Sequence, residues 1–235
     1  MSIDLRLGDW RNVLADVQCA AVIADPPYGR ETHEGWNAGE EQMRSATGQS
    51  TRTAISYIHW TPEDVTEFVA SWSPRCSGWM ACMTSDDLIP AWKSAYRTAG
   101  RYPFAPVPIK QVRPRLLGDG PSSWFVYLMV ARPRNREYAT WGCLRGGYDS
   151  FCEKHGVVAG AKPVELMREI VRDYSRSGDL VCDPTCGGAT TLIAARMEGR
   201  ECVGAEANET NWQKAKARCA DLPIETSFSK QRCLF

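Results

Sequence analysis

The feature that most constrains the fold of this chain is a compact unit between residues 180 and 206. An apolar strand (LVC) runs into the glycine turn 183–191 (DPTCGGATT), a helix follows, and a second strand ends at Glu206. Glycine lets the backbone approach a ligand closely, and the first turn of a helix offers free N–H groups. The order strand, glycine turn, helix and strand ending in an acid is typical of a nucleotide-binding βαβ unit.

The same unit predicts a nucleoside without phosphates as its ligand. Asp183 and Glu206 are 23 residues apart, close to the ~20 that place an acid on ribose hydroxyls. The turn lacks the complete G-x-G-x-x-G pattern that seats a pyrophosphate, which disfavours an NAD-type dehydrogenase. The alternative at this point is a glycine turn that only packs a helix against a strand.

The rest of the chain alternates short apolar runs with helical periodicity. This pattern predicts a doubly wound, mostly parallel α/β sheet with helices on both faces. We expect further strands at 3–7, 20–24, 78–83 and 124–130, and helices at 10–17, from 62, from 85 to about 100, 164–174 and 209–220. Without a linker or a repeat, the 235 residues indicate a single domain, 1–235. The polar stretch 29–60 is predicted to be a long functional loop.

Composition excludes several other classes of protein. Apolar residues make up 43% of the chain and charged residues 24%, which is typical of a folded protein rather than a disordered one. No apolar run reaches the ~20 residues of a membrane span, and the polar first residues lack a signal-peptide core. The ten cysteines form no CxxC pair and the three histidines have no ligand spacing. We therefore expect reduced core cysteines, no metal site and a cytoplasmic location.

A second motif, Asp25-Pro26-Pro27-Tyr28, follows the apolar strand 20–24, where open α/β sheets usually bind their ligands. An exocyclic aromatic amine is a poor nucleophile, because its lone pair is delocalised into the ring. The carboxylate of Asp25 and the carbonyl of Pro26 could accept its two hydrogens, and the prolines would fix the direction of that carbonyl. The ring of Tyr28 could stack a base turned out of a helix. The alternative is a chance Pro-Pro turn.

Together, the two motifs resemble the S-adenosylmethionine-dependent DNA amino-methyltransferases, which methylate adenine N6 or cytosine N4. The tetrapeptide is similar to their catalytic DPPY motif, and its Asp form is typical of the adenine enzymes. The stretch from Lys162-Pro163 through the glycine turn to Glu206 is similar to their cofactor-binding half. A catalytic motif that precedes the cofactor motif is the order of the family's β group. The resemblance covers roughly residues 3–28 and 160–220.

The resemblance implies a Rossmann-like methyltransferase domain that transfers a methyl group from S-adenosylmethionine to a flipped-out adenine in double-stranded DNA. The catalytic residues would be Asp25, Pro26, Pro27 and Tyr28. The cofactor-binding residues would be Asp9, Asp25, Lys162, Asp183, Gly187, Thr190 and Glu206.

Two residues of the turn depart from the family's usual D-P-F-x-G-S-G-T-T. Thr185 stands in place of the aromatic residue, and Ala189 replaces the second glycine. Since alanine can still pack at a helix start, we expect cofactor binding to survive.

A basic stretch lies between the two motifs. Residues 101–136 contain seven basic residues and one acid, and phosphate contacts supply most nonspecific DNA affinity. We expect a small DNA-recognition region within 101–150, with contacts near the cleft from Lys110, Arg113, Arg115, Arg132, Arg134 and Arg136. The alternative is a solvated basic face.

Several functional alternatives stay open from the sequence. The same site could serve cytosine N4, or adenine in RNA, and a non-catalytic DNA-binding module would keep the fold without turnover. A restriction partner and a homodimer both occur in the family, while the sequence carries no interface signature.

Overall fold

The computed structural model describes residues 2–32, 34, 58–111, 124–150, 158 and 160–221. These residues form one nine-stranded sheet with helices around it. The strands are β1 (Ile3–Leu7), β2 (Ala21–Ala24), β3 (Met80–Thr84), β4 (Tyr102–Pro103), β5 (Val107–Gln111), β6 (Phe125–Arg132), β7 (Tyr148–Ser150), β8 (Leu180–Asp183) and β9 (Glu201–Glu206). The helices are α1 (Trp10–Val13), α2 (Pro62–Trp72), α3 (Ile89–Thr98), α4 (Arg136–Ala139), α5 (Val164–Tyr174), α6 (Thr190–Met197) and α7 (Glu209–Ala220).

The strand order is β1-β9-β8-β2-β3-β6-β5-β7, with β4 beside β6. The first five of these strands are parallel, and β6 runs antiparallel to β3. Five carboxyl ends therefore lie along one side of the sheet, called here the carboxyl edge, and the other side is the amino edge. The predicted doubly wound, mostly parallel sheet is confirmed.

Apolar side chains cover both faces of the sheet. In β2, Ala21 and Ile23 face one core, and Val22 and Ala24 face the other, all of them fully buried. One core contains the apolar faces of α5 and α6, and the other contains the aromatic residues of α2 and α3. A parallel strand covered on both faces reads as a continuous apolar run, which explains why β2 was recognised from its sequence.

The start of α2 follows from local sequence signals. Thr61 caps this helix in a reciprocal capping box with Asp64, and Pro62 occupies its first position. The Thr61 side chain accepts from a backbone N–H that the helix start leaves unpaired, and Pro62 has no backbone N–H that would need a partner. The predicted start of this helix is confirmed.

The middle of the chain differs most from the prediction. The sequence reading missed β4, β5, β7 and α4, and the described part of 101–150 contributes strands to the same sheet. Most of the predicted loop 29–60, namely residues 33 and 35–57, lies outside the described residues.

Eight of the ten cysteines are described; all eight are free, and six of them are buried. The described His, Cys, Asp and Glu residues form no group of three suited to a metal ion. Within the same residues, no helix is long and apolar enough to cross a membrane.

Candidate active site

The carboxyl edge brings the two sequence motifs together. Strand β2, which leads into Asp25, pairs in parallel with β8, which ends at Asp183. Strand β8 in turn pairs with β9, which ends at Glu206. The tetrapeptide 25–28 and the glycine turn therefore follow neighbouring strands on one edge, as the sequence predicts.

The two oxygens of the Asp25 carboxylate have different surroundings. Oδ2 accepts a hydrogen bond from Lys162 Nζ at 2.6 Å, and this ammonium also lies 4.9 Å from the centre of the Tyr28 ring. Oδ1 is buried and has no hydrogen-bond partner among the described residues. Lys162, predicted to bind the cofactor, thus contacts the tetrapeptide directly.

The tetrapeptide is held in place by backbone and side-chain contacts. Pro26 is buried, and the carbonyl of Tyr28 accepts a hydrogen bond from the Trp60 backbone N–H at 3.0 Å. These contacts attach the motif to the chain that leads into α2. The end of the tetrapeptide is therefore tied to the segment before α2.

The residue after the tetrapeptide is fixed by the end of β3. The Gly29 N–H donates to Ser85 Oγ at 2.9 Å, and the Ser85 hydroxyl donates to Asp87 Oδ1. A Cβ at Gly29 would lie 1.9 Å from Asp87 Oδ2, so only glycine fits here with Asp87 in this position. Ser85 occupies the N-cap position of the short turn that follows, but its side chain makes no cap hydrogen bond there.

Sequence reasoning therefore missed Ser85 and Asp87 as supports of the site. The available signal was a polar pair directly after an apolar strand, at the edge where the tetrapeptide was expected.

The glycine turn after β8 is tightly wound. Gly187 and Ala189 both have left-handed backbone angles, with φ of 51° and 61°. A Cβ at Gly188 would lie 3.0 Å from Val158 Cγ2. For an L-residue such as Ala189, this conformation costs about 1–2 kcal/mol relative to the right-handed one. The turn thus keeps a strained backbone at the position where the family usually has glycine.

Arg218 of α7 binds the glycine turn through its guanidinium. The sequence analysis did not identify this residue. Its Nη1 donates to the Gly188 carbonyl at 3.0 Å and to Thr190 Oγ1 at 2.8 Å. Thr190 is 6% exposed, so its hydroxyl is turned towards the protein. The predicted cofactor role of Thr190 stays a prediction, and the structure adds a structural role for this hydroxyl.

Asp183 is the most deeply buried acid of the edge, at 1% exposure. Burial raises its pKa from 3.8 to about 7; hydrogen bonds from Thr191 and from the Thr185 N–H oppose this shift, while the nearby negative charges of Asp25 and Glu206 add to it. Burial likewise raises the pKa of Glu206, whose carboxylate accepts from the Asn208 N–H at 2.7 Å. The edge therefore holds closely spaced acids whose ionisation a cation would favour.

Asp9 occupies the outer end of this row. Its exposed side chain accepts from the Arg11 N–H at 2.8 Å and caps α1. The preceding Gly8 N–H donates to the Glu206 carbonyl at 2.9 Å, which ties the end of β1 to the end of β9. Asp9 therefore lies at the predicted edge with its carboxylate engaged by a helix start.

The predicted basic cluster is divided by the antiparallel course of β6. Lys110 pairs with Phe125, near the carboxyl edge, because Thr84 at the end of β3 pairs with Tyr127. Arg132 lies seven residues further along β6, or about 24 Å away.

Three of the six candidate DNA contacts thus belong to the amino edge. Arg132 and Arg134 lie 4.9 and 5.4 Å from the ring centre of Tyr102, and Arg136 begins α4. Grouping these three arginines near the cleft is wrong. Arg113 and Arg115 lie outside the described residues.

The comparisons with known proteins agree with this geometry. Residues 130–217 match the N6_N4_Mtase family, described as DNA methylase. A 48-residue segment is 46% identical to the type II methyltransferase M.MthZI of Methanothermobacter thermautotrophicus; it represents 20% of this chain and spans 14% of that relative.

Solved structures of similar fold cover almost the whole chain. The S-adenosylmethionine complex of M1.HpyAVI has a TM-score of 0.63 at 19% identity and covers 92% of this chain and 100% of its own. The cytosine-N4-specific PvuII DNA methyltransferase has a TM-score of 0.63 at 10% identity. The match covers 97% of this chain and 89% of the PvuII chain. With the methyltransferase fold present and the family's sequence pattern in residues 130–217, the resemblance to the DNA amino-methyltransferase family is confirmed.

Proposed function

We propose that this chain is an S-adenosylmethionine-dependent DNA methyltransferase that acts on the N6 amine of a flipped-out adenine. The observation that carries the proposal is the buried Asp25 Oδ1, which has no hydrogen-bond partner in the described part of the chain. A buried acceptor left unpaired costs about 1–3 kcal/mol, and an incoming N–H donor would recover that cost.

The tetrapeptide can activate an aromatic amine. Asp25 Oδ1 and the Pro26 carbonyl would accept its two hydrogens and draw the nitrogen towards a tetrahedral shape. The ring of Tyr28 would stack the extruded base. These acceptors are fixed before the substrate arrives, so little reorganisation is needed at the moment of transfer.

The carboxyl edge fits S-adenosylmethionine by its donor set. The cofactor is a nucleoside with a sulfonium and an ammonium, and it supplies a methyl group on sulfur that is already a good leaving group. Glu206 would hold the ribose hydroxyls and Asp183 the ammonium, while Gly187 permits close backbone approach. The buried Thr185 Oγ1, also without a hydrogen-bond partner among the described residues, offers a further polar contact.

Cytosine N4 is the second candidate base. The PvuII enzyme, which is specific for cytosine N4, shares the fold over 97% of this chain. Adenine is favoured because the Asp form of the tetrapeptide is typical of the adenine enzymes in the family it resembles.

The test is incubation of the purified protein with methyl-labelled S-adenosylmethionine and either unmethylated genomic DNA or RNA, followed by nucleoside analysis of each. We expect N6-methyladenine. N4-methylcytosine would establish the second candidate instead, and label in RNA but not in DNA would contradict the proposal.

The matched variants are Asp25→Ala and Asp16→Ala. Asp25→Ala should lower transfer at least a thousandfold while cofactor affinity changes little, since it removes one of two acceptors for the amine. Asp16 is an exposed acid that pairs with Arg6 away from the site, so Asp16→Ala should transfer normally. Turnover retained in Asp25→Ala would refute the mechanism.

A further inference from the structure

One ammonium group contacts both functional side chains of the tetrapeptide. Lys162 Nζ donates to Asp25 Oδ2 at 2.6 Å and lies 4.9 Å from the Tyr28 ring centre. The same nitrogen is 3.3 Å from the Gly160 carbonyl. Carboxylate, ring and carbonyl thus surround a single cation, which is 137 residues from Asp25 along the chain.

This ion pair makes the two oxygens of Asp25 chemically different. Lys162 occupies Oδ2, and Oδ1 is left buried without a hydrogen-bond partner among the described residues. A carboxylate free to rotate would exchange its oxygens. Held by a charge-assisted hydrogen bond, it presents one particular oxygen to a donor.

Lys162 lies directly before α5, and its ion pair with Asp25 is largely shielded from solvent. Pro163 follows directly and is the N-cap residue of α5, with φ of −58°. Both partners of the pair are largely shielded, with side-chain exposures of 16% for Lys162 and 23% for Asp25. Shielding strengthens the attraction relative to an exposed pair.

We propose that Lys162 is a positioning residue for the catalytic carboxylate rather than a ligand of the cofactor. It holds Asp25 Oδ2 so that Oδ1 receives the hydrogen of the target amine, and its ammonium lies over the Tyr28 ring. The inference depends on the proposed function of Asp25 and adds a residue to it.

The experiment separates cofactor binding from transfer. Cofactor affinity is measured by calorimetry, and the transfer rate by single turnover at saturating S-adenosylmethionine, for wild type, Lys162→Met and Lys162→Arg. Lys162→Met should slow transfer about a hundredfold with a cofactor Kd within twofold of wild type. Lys162→Arg, which keeps the charge and the donors, should recover at least tenfold of that loss.

Lys216→Met is the matched control. Lys216 also places its ammonium over an aromatic ring, 4.8 Å from the centre of Trp212, but on the exposed surface of α7. This variant should leave both measurements unchanged. An effect equal to that of Lys162→Met would overturn the proposal.

Two further results would also overturn the inference. One is a cofactor Kd raised more than tenfold in Lys162→Met with normal transfer at saturation, which would make Lys162 a cofactor ligand. The other is unchanged Kd and unchanged transfer.

A double-mutant cycle on unfolding, with Asp25→Ala and Lys162→Met alone and combined, needs no activity. It should give a favourable coupling between the two side chains, and no coupling would remove the basis of the inference. If the cycle shows coupling but the wild-type protein methylates no nucleic acid, the proposed function is rejected. The contact between Asp25 and Lys162 is still supported in that case.

Discussion

The two edges of the sheet differ in how they treat buried charged side chains. At the amino edge, Arg101 is 3% exposed and donates to oxygens of Ser73, Cys76 and Gly78. Four hydrogen bonds to the chain that enters β3 satisfy this buried cation and fasten its loop.

Arg200 does the same beside β9. It is 8% exposed and donates to both oxygens of Ser175 and to the Glu198 carbonyl. Buried arginines with several hydrogen bonds each therefore close the loops of this edge. The indole N–H groups of Trp72 and Trp79 are buried on the same edge without partners among the described residues.

The carboxyl edge leaves comparable groups unsatisfied. Asp25 Oδ1 and Thr185 Oγ1 are buried without hydrogen-bond partners among the described residues, Asp183 has a raised pKa, and Ala189 has a left-handed backbone. The contrast is between buried cations with several hydrogen bonds at one edge and acids with few partners at the other, where the proposed ligands would bind.

The largest effect on stability is expected from Arg101→Met. It leaves buried carbonyl oxygens without donors, at about 1–3 kcal/mol each, so the free energy of unfolding should fall by about 3 kcal/mol or more. Urea denaturation measures it. Asp25→Asn at the other edge weakens one ion pair and should cost clearly less than Arg101→Met, and equal losses would remove the contrast between the edges.

The next effect concerns pH. Asp183 has a pKa of about 7 when folded and 3.8 as the ordinary value, so the folded state binds the extra proton between these values. The stabilisation that comes from this extra proton on Asp183 is present below about pH 4 and is lost as pH rises through about 7.

In wild type, Asp183 should make the free energy of unfolding about 2 kcal/mol lower at pH 8 than at pH 5. Asp183→Asn should lack this pH-dependent loss. Urea denaturation at both pH values checks this. An identical pH dependence in the two proteins would show that Asp183 is not held in its neutral form.

A smaller effect is expected at Gly29. Gly29→Ala places a methyl group against the Asp87 carboxylate and should cost about 1–2 kcal/mol by overpacking. In an Asp87→Ala background the same change should cost nothing measurable. A cost that persists in this background would place the strain elsewhere in the loop.

The smallest effect is at Ala189. Ala189→Gly relieves the left-handed strain but adds unfolded-state entropy, so stability should rise by less than about 1 kcal/mol. Ala194 is buried within α6, and Ala194→Gly should instead lose about 1 kcal/mol. Thermal unfolding of both variants tests the opposite signs, and a loss in both would show that Ala189 is not strained.

Sequence alone was enough wherever a local pattern carries its own physical reason. The tetrapeptide after β2 and the glycine turn after β8 were readable because each combines an apolar strand with residues of special backbone chemistry. The helix start at Pro62 was readable for the same reason. These features fixed the fold class and the edge at which the motifs meet.

Only the tertiary structure decided which distant side chains meet there. Nothing local to Lys162 indicates that its ammonium lies on Asp25, or that Ser85 accepts from the Gly29 N–H. The reversal of β6 sends Arg132 to the opposite edge from Lys110, although the sequence places both in one basic stretch. Strand direction and pairing depend on how the whole sheet buries its apolar faces. No short segment of sequence contains this information, because it depends on contacts between residues far apart in the chain.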